Sequence, residues 1–118
     1  MRIAADIAVA LVALLHVYFL VLEMFLWDKP YGRRVFGLTP EYSAASKSLA
    51  ANQGLYNGFL VAGLVWGLMG VPGAYAIKVF FLSCVIVAGV FGGFTANRKI
   101  LLVQALPGAI ALALVLAA

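Results

Sequence analysis

Residues 74–95 read AYAIKVFFLSCVIVAGVFGGFT, a run of twenty-two with a single charge, Lys78, near its start. Beyond Lys78 the residues are aliphatic, aromatic or small, without the polar stripe that marks a helix lying half in water. As a helix such a run crosses about 30 Å of hydrocarbon, which takes roughly 20 residues. Three further runs share its character, near 3–27, 46–69 and 99–117. Over all 118 residues, 66% are hydrophobic and 10% charged, and the mean hydropathy is +1.12. That is far above the apolar share of a soluble domain and leaves no room for one. The expected fold is all-α, an integral membrane four-helix bundle forming one domain over residues 1–118. Strands are excluded by their open edges, which lipid cannot satisfy.

The punctuation agrees with this division. Asp28-Lys29-Pro30-Tyr31-Gly32 stops the first helix, Gly70-Val71-Pro72-Gly73 turns the second into the third, and Thr95-Ala96-Asn97 leads into the fourth. Pro40 opens a short amphiphilic approach to the second helix. The first run is read as a span rather than a cleaved leader, because it is long, contains Glu23 and precedes no small-x-small site. Cys84 is the single cysteine; it allows no intrachain disulfide and is read as packing.

Charge asymmetry sets the orientation. Lys29, Arg33, Arg34, Lys47, Arg98 and Lys99 follow helices one and three, whereas the other side carries only Arg2 and Lys78. By the positive-inside rule both termini are extracytoplasmic, and the chain is a multi-pass protein of a bacterial inner (plasma) membrane. Trp27 and Tyr31 mark one interface, Trp66 and Tyr75 the other. The basic loops serve topology and anionic headgroups; the lipid bilayer is the expected partner and nucleic acid is not.

Within this frame one block is out of place. Asn52-Gln53-Gly54-Leu55-Tyr56-Asn57-Gly58 brings three amides and a phenol into a span, where each unpartnered polar group costs a few kcal/mol. At about 100° per residue, Asn52, Gln53, Tyr56 and Asn57 fall on one arc and Gly54 and Gly58 roughly opposite. The expectation is a polar face backed by a close-packing glycine face. Gly54-x-x-x-Gly58, Gly63-x-x-x-Gly67 and Gly89-x-x-x-Gly93 are seams at which helix backbones approach. A chain this small with several such seams is expected to form a homo-oligomer.

His16 and Glu23 lie seven residues apart on nearly the same face of helix one. At 1.5 Å per residue they reach depths comparable with the amide block and with Gln104 on helix four. Glu23 is open to two readings, a salt bridge with Arg33, Arg34 or Arg98, or a carboxylate that binds ligand or handles protons. His16 is a neighbour-bonded imidazole or an acid–base group; with no second His nearby, no metal site is expected. The proposed cavity faces the cytoplasm. In it Arg33, Arg34 and Arg98 attract an anionic group, Asn52, Gln53, Asn57 and Gln104 orient it, and Glu23, Tyr56 and His16 are candidate acid or base residues. The candidate ligand is the head of a small amphiphilic or anionic molecule.

His16, the Glu23-Met24-Phe25-Leu26-Trp27 end of helix one, Phe36-Gly37-Leu38, the Asn52–Phe59 block and the Gln104-Ala105-Leu106-Pro107 step resemble a family of small bacterial membrane proteins. That family is a domain of unknown function, number thirteen-oh-four. The resemblance covers essentially the whole chain and implies a fold but no activity. More distantly, a basic first loop and a second helix running into an Asn are similar to the membrane-associated eicosanoid and glutathione metabolism superfamily. That likeness implies glutathione, or another thiol, as a candidate cofactor with transferase-like chemistry. Asn52 matches the superfamily's Asn, and Leu55 stands where its Glu would fall. An acid in helix one of a short four-helix chain is also similar to the small multidrug exporters, which implies proton-linked transport, although no inverted repeat is visible. An accessory subunit gripping a partner's helix is the third alternative. Binding and catalysis both stay open on the sequence.

Overall fold

Apolar runs bounded by glycine and proline fold as helices throughout, because each can satisfy its backbone hydrogen bonds internally. The computed structural model describes residues 1–118 and contains no strand. Its elements are α1 (Arg2–Met24), α2 (Pro30–Phe36), α3 (Pro40–Gly67), α4 (Ala74–Thr95) and α5 (Leu106–Ala117), the last preceded by a π-helical turn, Leu101–Ala105.

The observed boundaries correct three readings. Helix α1 ends at Met24 rather than near 27, ahead of the Asp28–Gly32 segment, whose second half instead starts a helix. Pro30 sits in the first turn of α2, where its missing N–H costs nothing, and Gly37 closes that helix in the left-handed region at φ 66°. The approach opened by Pro40 is continuous with the helix behind it, so α3 runs 28 residues rather than starting near 46. Thr39 caps it, its Oγ1 accepting the Tyr42 N–H at 3.1 Å. The last helix begins as a π turn, for which Pro107 supplies a reason. Proline offers no N–H and its ring crowds the carbonyl four residues back, so the chain closes a wider ring, with the Leu106 N–H reaching the Leu101 carbonyl.

Two helices, α1 and α4, are long and apolar enough to cross a membrane. The helical run Leu101–Ala117 is apolar but shorter, and α3, although long, carries Lys47 and the amide block. The four expected spans are therefore two by length and apolarity. Large apolar side chains cover the outside of both, among them Ile3, Ile7, Leu11 and Leu14 on α1 and Phe80, Val87, Phe91 and Phe94 on α4.

The chain divides into two compact units, residues 1–14 with 62–118, and residues 15–61; α1 and α3 each contribute to both. In the first unit α4 runs antiparallel to the π turn and α5. A Cβ on Gly93 would strike Leu101, one on Gly89 the Ala105 backbone, and one on Gly108 Val85. At the end of α3, Gly63 accommodates the Phe81 ring and Gly67 the stem of Lys78. Leu82, Val85, Ala111 and Val115 form the dry centre, together with Ala5 and Val9 of α1. Lys78 Nζ pairs with Asp6 Oδ1 at 3.2 Å.

In the second unit the later half of α1 runs antiparallel to the first part of α3. Gly54 lies against Leu20, Glu23 and Met24, and Gly58 against Leu20. Small residues at these positions let the backbones approach and gain dispersion contacts. Gly32 is buried beneath the Leu26 carbonyl, where a Cβ would overlap that oxygen, so α2 folds tightly back on the end of α1.

Candidate functional site

Glu23 and His16 lie on the buried stripe of α1 that also presents Ala5, Val9 and Val12, as their seven-residue spacing predicts. Glu23 is 6% exposed and His16 wholly enclosed, the latter edge-on to Phe19 with ring centroids 5.3 Å apart. Across the seam from Glu23, α3 presents Asn57, itself 8% exposed. Asn57 Nδ2 donates to Glu23 Oε1, and the Gln53 amide lies within interaction range of the same carboxylate. Glu23 makes no ion pair, the two in the molecule being Arg33–Asp28 and Lys78–Asp6. The salt-bridge reading of Glu23 is thereby corrected; amide dipoles replace a cation as its partners.

The two-faced α3 expected from the helical wheel is also corrected. Asn57 shares its face with Gly54, and together they form the seam against α1. Asn52 and Tyr56 point outward, with Gln53 at the edge, exposed yet within reach of Glu23. The reason lies in the angles, since Asn57 is only about 60° from Gly54 on the wheel and the seam is wide enough to take both. Tyr56 touches Phe59 edge to face at 5.7 Å between centroids, and the structure does not bring its hydroxyl to the carboxylate. Of the predicted residues, then, the fold joins Glu23, Asn57 and Gln53.

The basic residues are engaged locally. Arg33 Nη1 donates to Asp28 Oδ1 at 3.0 Å and to the Asp28 carbonyl at 2.9 Å. Arg34 stacks over the Tyr31 ring, 5.7 Å from its centroid. Arg98 and Gln104 belong to the other unit, Arg98 exposed in the turn after α4 and Gln104 half-buried on the π turn. In that turn Asn97 Oδ1 accepts the Lys99 N–H at 2.9 Å, an Asx cap. No three His, Cys, Asp or Glu side chains converge, so the chemistry at Glu23 is that of a carboxylate among amides.

One cluster escapes the sequence reading. After α1, Trp27 Nε1 donates to Ser46 Oγ at 3.0 Å, and the wholly buried Ser43 donates its hydroxyl to Asp28 Oδ1 at 2.7 Å. These bonds tie the α1–α2 turn to the first turns of α3. The Ser43 hydroxyl, with Arg33 and Lys47 adding to it against partial burial, holds the Asp28 carboxyl below its ordinary range. A carboxyl depressed in the folded state adds stability above its unfolded value near 4, and loses it as pH falls below that value toward the folded one. Thermal stability should therefore drop on acidification below about pH 4, and Asp28→Asn should flatten that part of the profile; an unchanged profile would show the cluster to be inert. The signal missed in the sequence is Asp28 itself, five residues before Arg33 across a proline turn.

Comparison with known proteins finds relatives but no activity. Residues 10–116 match the family described as "Protein of unknown function (DUF1304)". The chain is 33% identical over 106 residues to "Uncharacterized protein YpaA" of Lactococcus lactis subsp. lactis (strain IL1403), covering 88% of this chain and 89% of that protein. No solved structure matches it. The likeness to the eicosanoid and glutathione superfamily gains no support, and the Asn52 that carried it faces away from Glu23. A match across nearly the whole chain, from before His16 to the end of α5, makes this protein a member of the DUF1304 family.

Proposed function

We propose that this is a multi-pass protein of a bacterial inner (plasma) membrane, with both termini extracytoplasmic, that binds the polar head of a small amphiphile beside the Glu23–Asn57–Gln53 cluster. One observation carries the reading. The amide block divides in two, Asn57 holding a buried carboxylate while Asn52, Gln53 and Tyr56 remain exposed on the adjacent surface of α3. Polar groups turned outward within an apolar chain need partners, and a ligand head or a second copy of the chain supplies them. The exposed apolar cover of α1 and α4 supports the membrane setting, since large hydrophobic side chains recur along the outside of both helices. Four spans and a homo-oligomer belong to the same reading, with α3 and Leu101–Ala117 crossing where ligand or neighbouring copies shield their polar or short stretches.

In this arrangement Gln53 bridges the two halves, within reach of Glu23 and open to a ligand. Asn52 and Tyr56 add donors and acceptors for a hydroxyl, amine or carbonyl head, and Glu23 fixes the orientation of Asn57 and Gln53. Arg33 and Arg34, engaged with Asp28 and Tyr31, are a rim to the site rather than its anion clamp. The test is native mass spectrometry of protein extracted from its host membrane in mild detergent. A bound amphiphile is expected on the wild type and lost from Asn52→Leu and Gln53→Leu; retention in both variants would sink the idea.

A second reading rests on the absence of any cation at Glu23, which suits a carboxylate that exchanges protons during transport. It predicts substrate-driven proton flux in sealed vesicles that Glu23→Gln abolishes, whereas head-group binding predicts saturable binding without flux.

A further inference from the structure

Around the N-terminus of α4 the first unit holds a cavity that the Glu23 cluster does not use. It has a volume of about 400 Å³, lies wholly within that unit, and is lined by Arg2, Asp6, Lys78, Tyr75, Gly67 and Val71 among others. That size suits a small ligand group. Among side chains, two cations and one carboxylate reach it. Lys78 is neutralised by Asp6 at 3.2 Å. Arg2 makes no hydrogen bond or ion pair within the protein, so its guanidinium is the unpaired cationic side chain of the lining.

The same wall carries backbone donors. The α4 N-terminus is capped by no side chain, Gly73 occupying the cap at φ 81°, and Ala74 and Tyr75 of its first turn line the cavity. The Ala74 N–H is taken by the Val71 carbonyl at 3.1 Å, and the Tyr75 N–H, without such a partner, adds to the field of the guanidinium. Tyr75, and Trp66 beside the lining Gly67, are exposed, as aromatic side chains are at headgroup depth.

We infer that this cavity binds an anionic phosphate group, carried by a lipid headgroup or by a free phosphate ester. Arg2 offers a planar fork of donors suited to two phosphate oxygens, and Lys78 a point charge at the inner wall. Asp6 competes with the ligand for Lys78 and leaves one side-chain cation, Arg2, in excess on the lining, available to a phosphate oxygen.

The test uses the full chain in detergent, titrated by native mass spectrometry with phosphatidylglycerol, phosphatidylcholine and glycerol 3-phosphate. Phosphatidylglycerol is expected to bind about tenfold more tightly than the zwitterionic lipid, and Arg2→Gln, at an exposed position, to lower its affinity by roughly tenfold. Asp6→Asn is expected to raise that affinity, the opposite of what loss of folding would do. Competition by glycerol 3-phosphate assigns the site to free phosphate esters; binding of phosphatidylglycerol without such competition assigns it to lipid. Equal affinity for the two lipids together with no binding of glycerol 3-phosphate, an Arg2→Gln protein indistinguishable from wild type, or weaker binding by Asp6→Asn would overturn the inference.

Discussion

Asn57→Leu is expected to cost the fold about 2–4 kcal/mol, because it strips a buried carboxylate of its buried donor and leaves it only the exposed Gln53 amide. An interhelical hydrogen bond in a membrane averages only about 0.6 kcal/mol, so most of the expected loss comes from the under-satisfied Glu23 rather than from the bond. That difference separates the variants. Glu23→Gln keeps a side chain able to bond Asn57 and should cost less than about 1 kcal/mol. Glu23→Leu combined with Asn57→Leu removes both partners and should recover most of what Asn57→Leu alone loses. Unfolding in detergent, taken round the double-mutant cycle, should show a coupling above about 1.5 kcal/mol. Simple additivity would mean that the two residues share a seam without depending on each other.

Gly89→Ala should destabilise by about 2 kcal/mol or more, because the new Cβ would sit 2.5 Å from the Ala105 nitrogen and 2.8 Å from its Cα. Both are backbone atoms and cannot turn aside. The sign is informative, since alanine would otherwise gain up to about 1 kcal/mol over glycine within a helix. Gly92 supplies the control. Its Cβ would meet only the Ile100 side chain, at 3.2 Å, so Gly92→Ala should be neutral or mildly stabilising. Thermal unfolding in detergent distinguishes the two; a stabilised Gly89→Ala protein would mean that α4 and the π turn do not approach this closely.

Much of the helical plan is legible because hydrophobic runs and glycine–proline turns are local signals. Residues 74–95 give α4 at both ends, and the seven-residue spacing puts His16 and Glu23 on one buried stripe. Helix α2 is hidden because a proline and a glycine close together read as a stop, whereas here Pro30 begins a helix and Gly32 lets it pack beneath Leu26. The π turn is hidden because a single proline does not say whether its helix kinks or widens. At the candidate site, composition identifies the amide block but not its division. Which amides face inward depends on which arc of α3 meets α1, and that is decided by the close approach at Gly54, a tertiary contact. For the same reason the partner of Glu23 is misread, since an acid near basic loops suggests a cation until packing brings Asn57 to it.

Head-group binding at the amide block requires α3 to have a closed side at Asn57 and an open, water-reachable side at Asn52 within an otherwise apolar chain. The two sides can be read separately by labelling Asn52→Cys and Asn57→Cys, each in a Cys84→Ser background, with a membrane-impermeant maleimide in sealed vesicles of both orientations. Rapid labelling is expected at position 52 from the cytoplasmic side alone, with little at position 57. No labelling at 52 from either side, or equal labelling at both positions, would contradict the division of the block and the binding built on it.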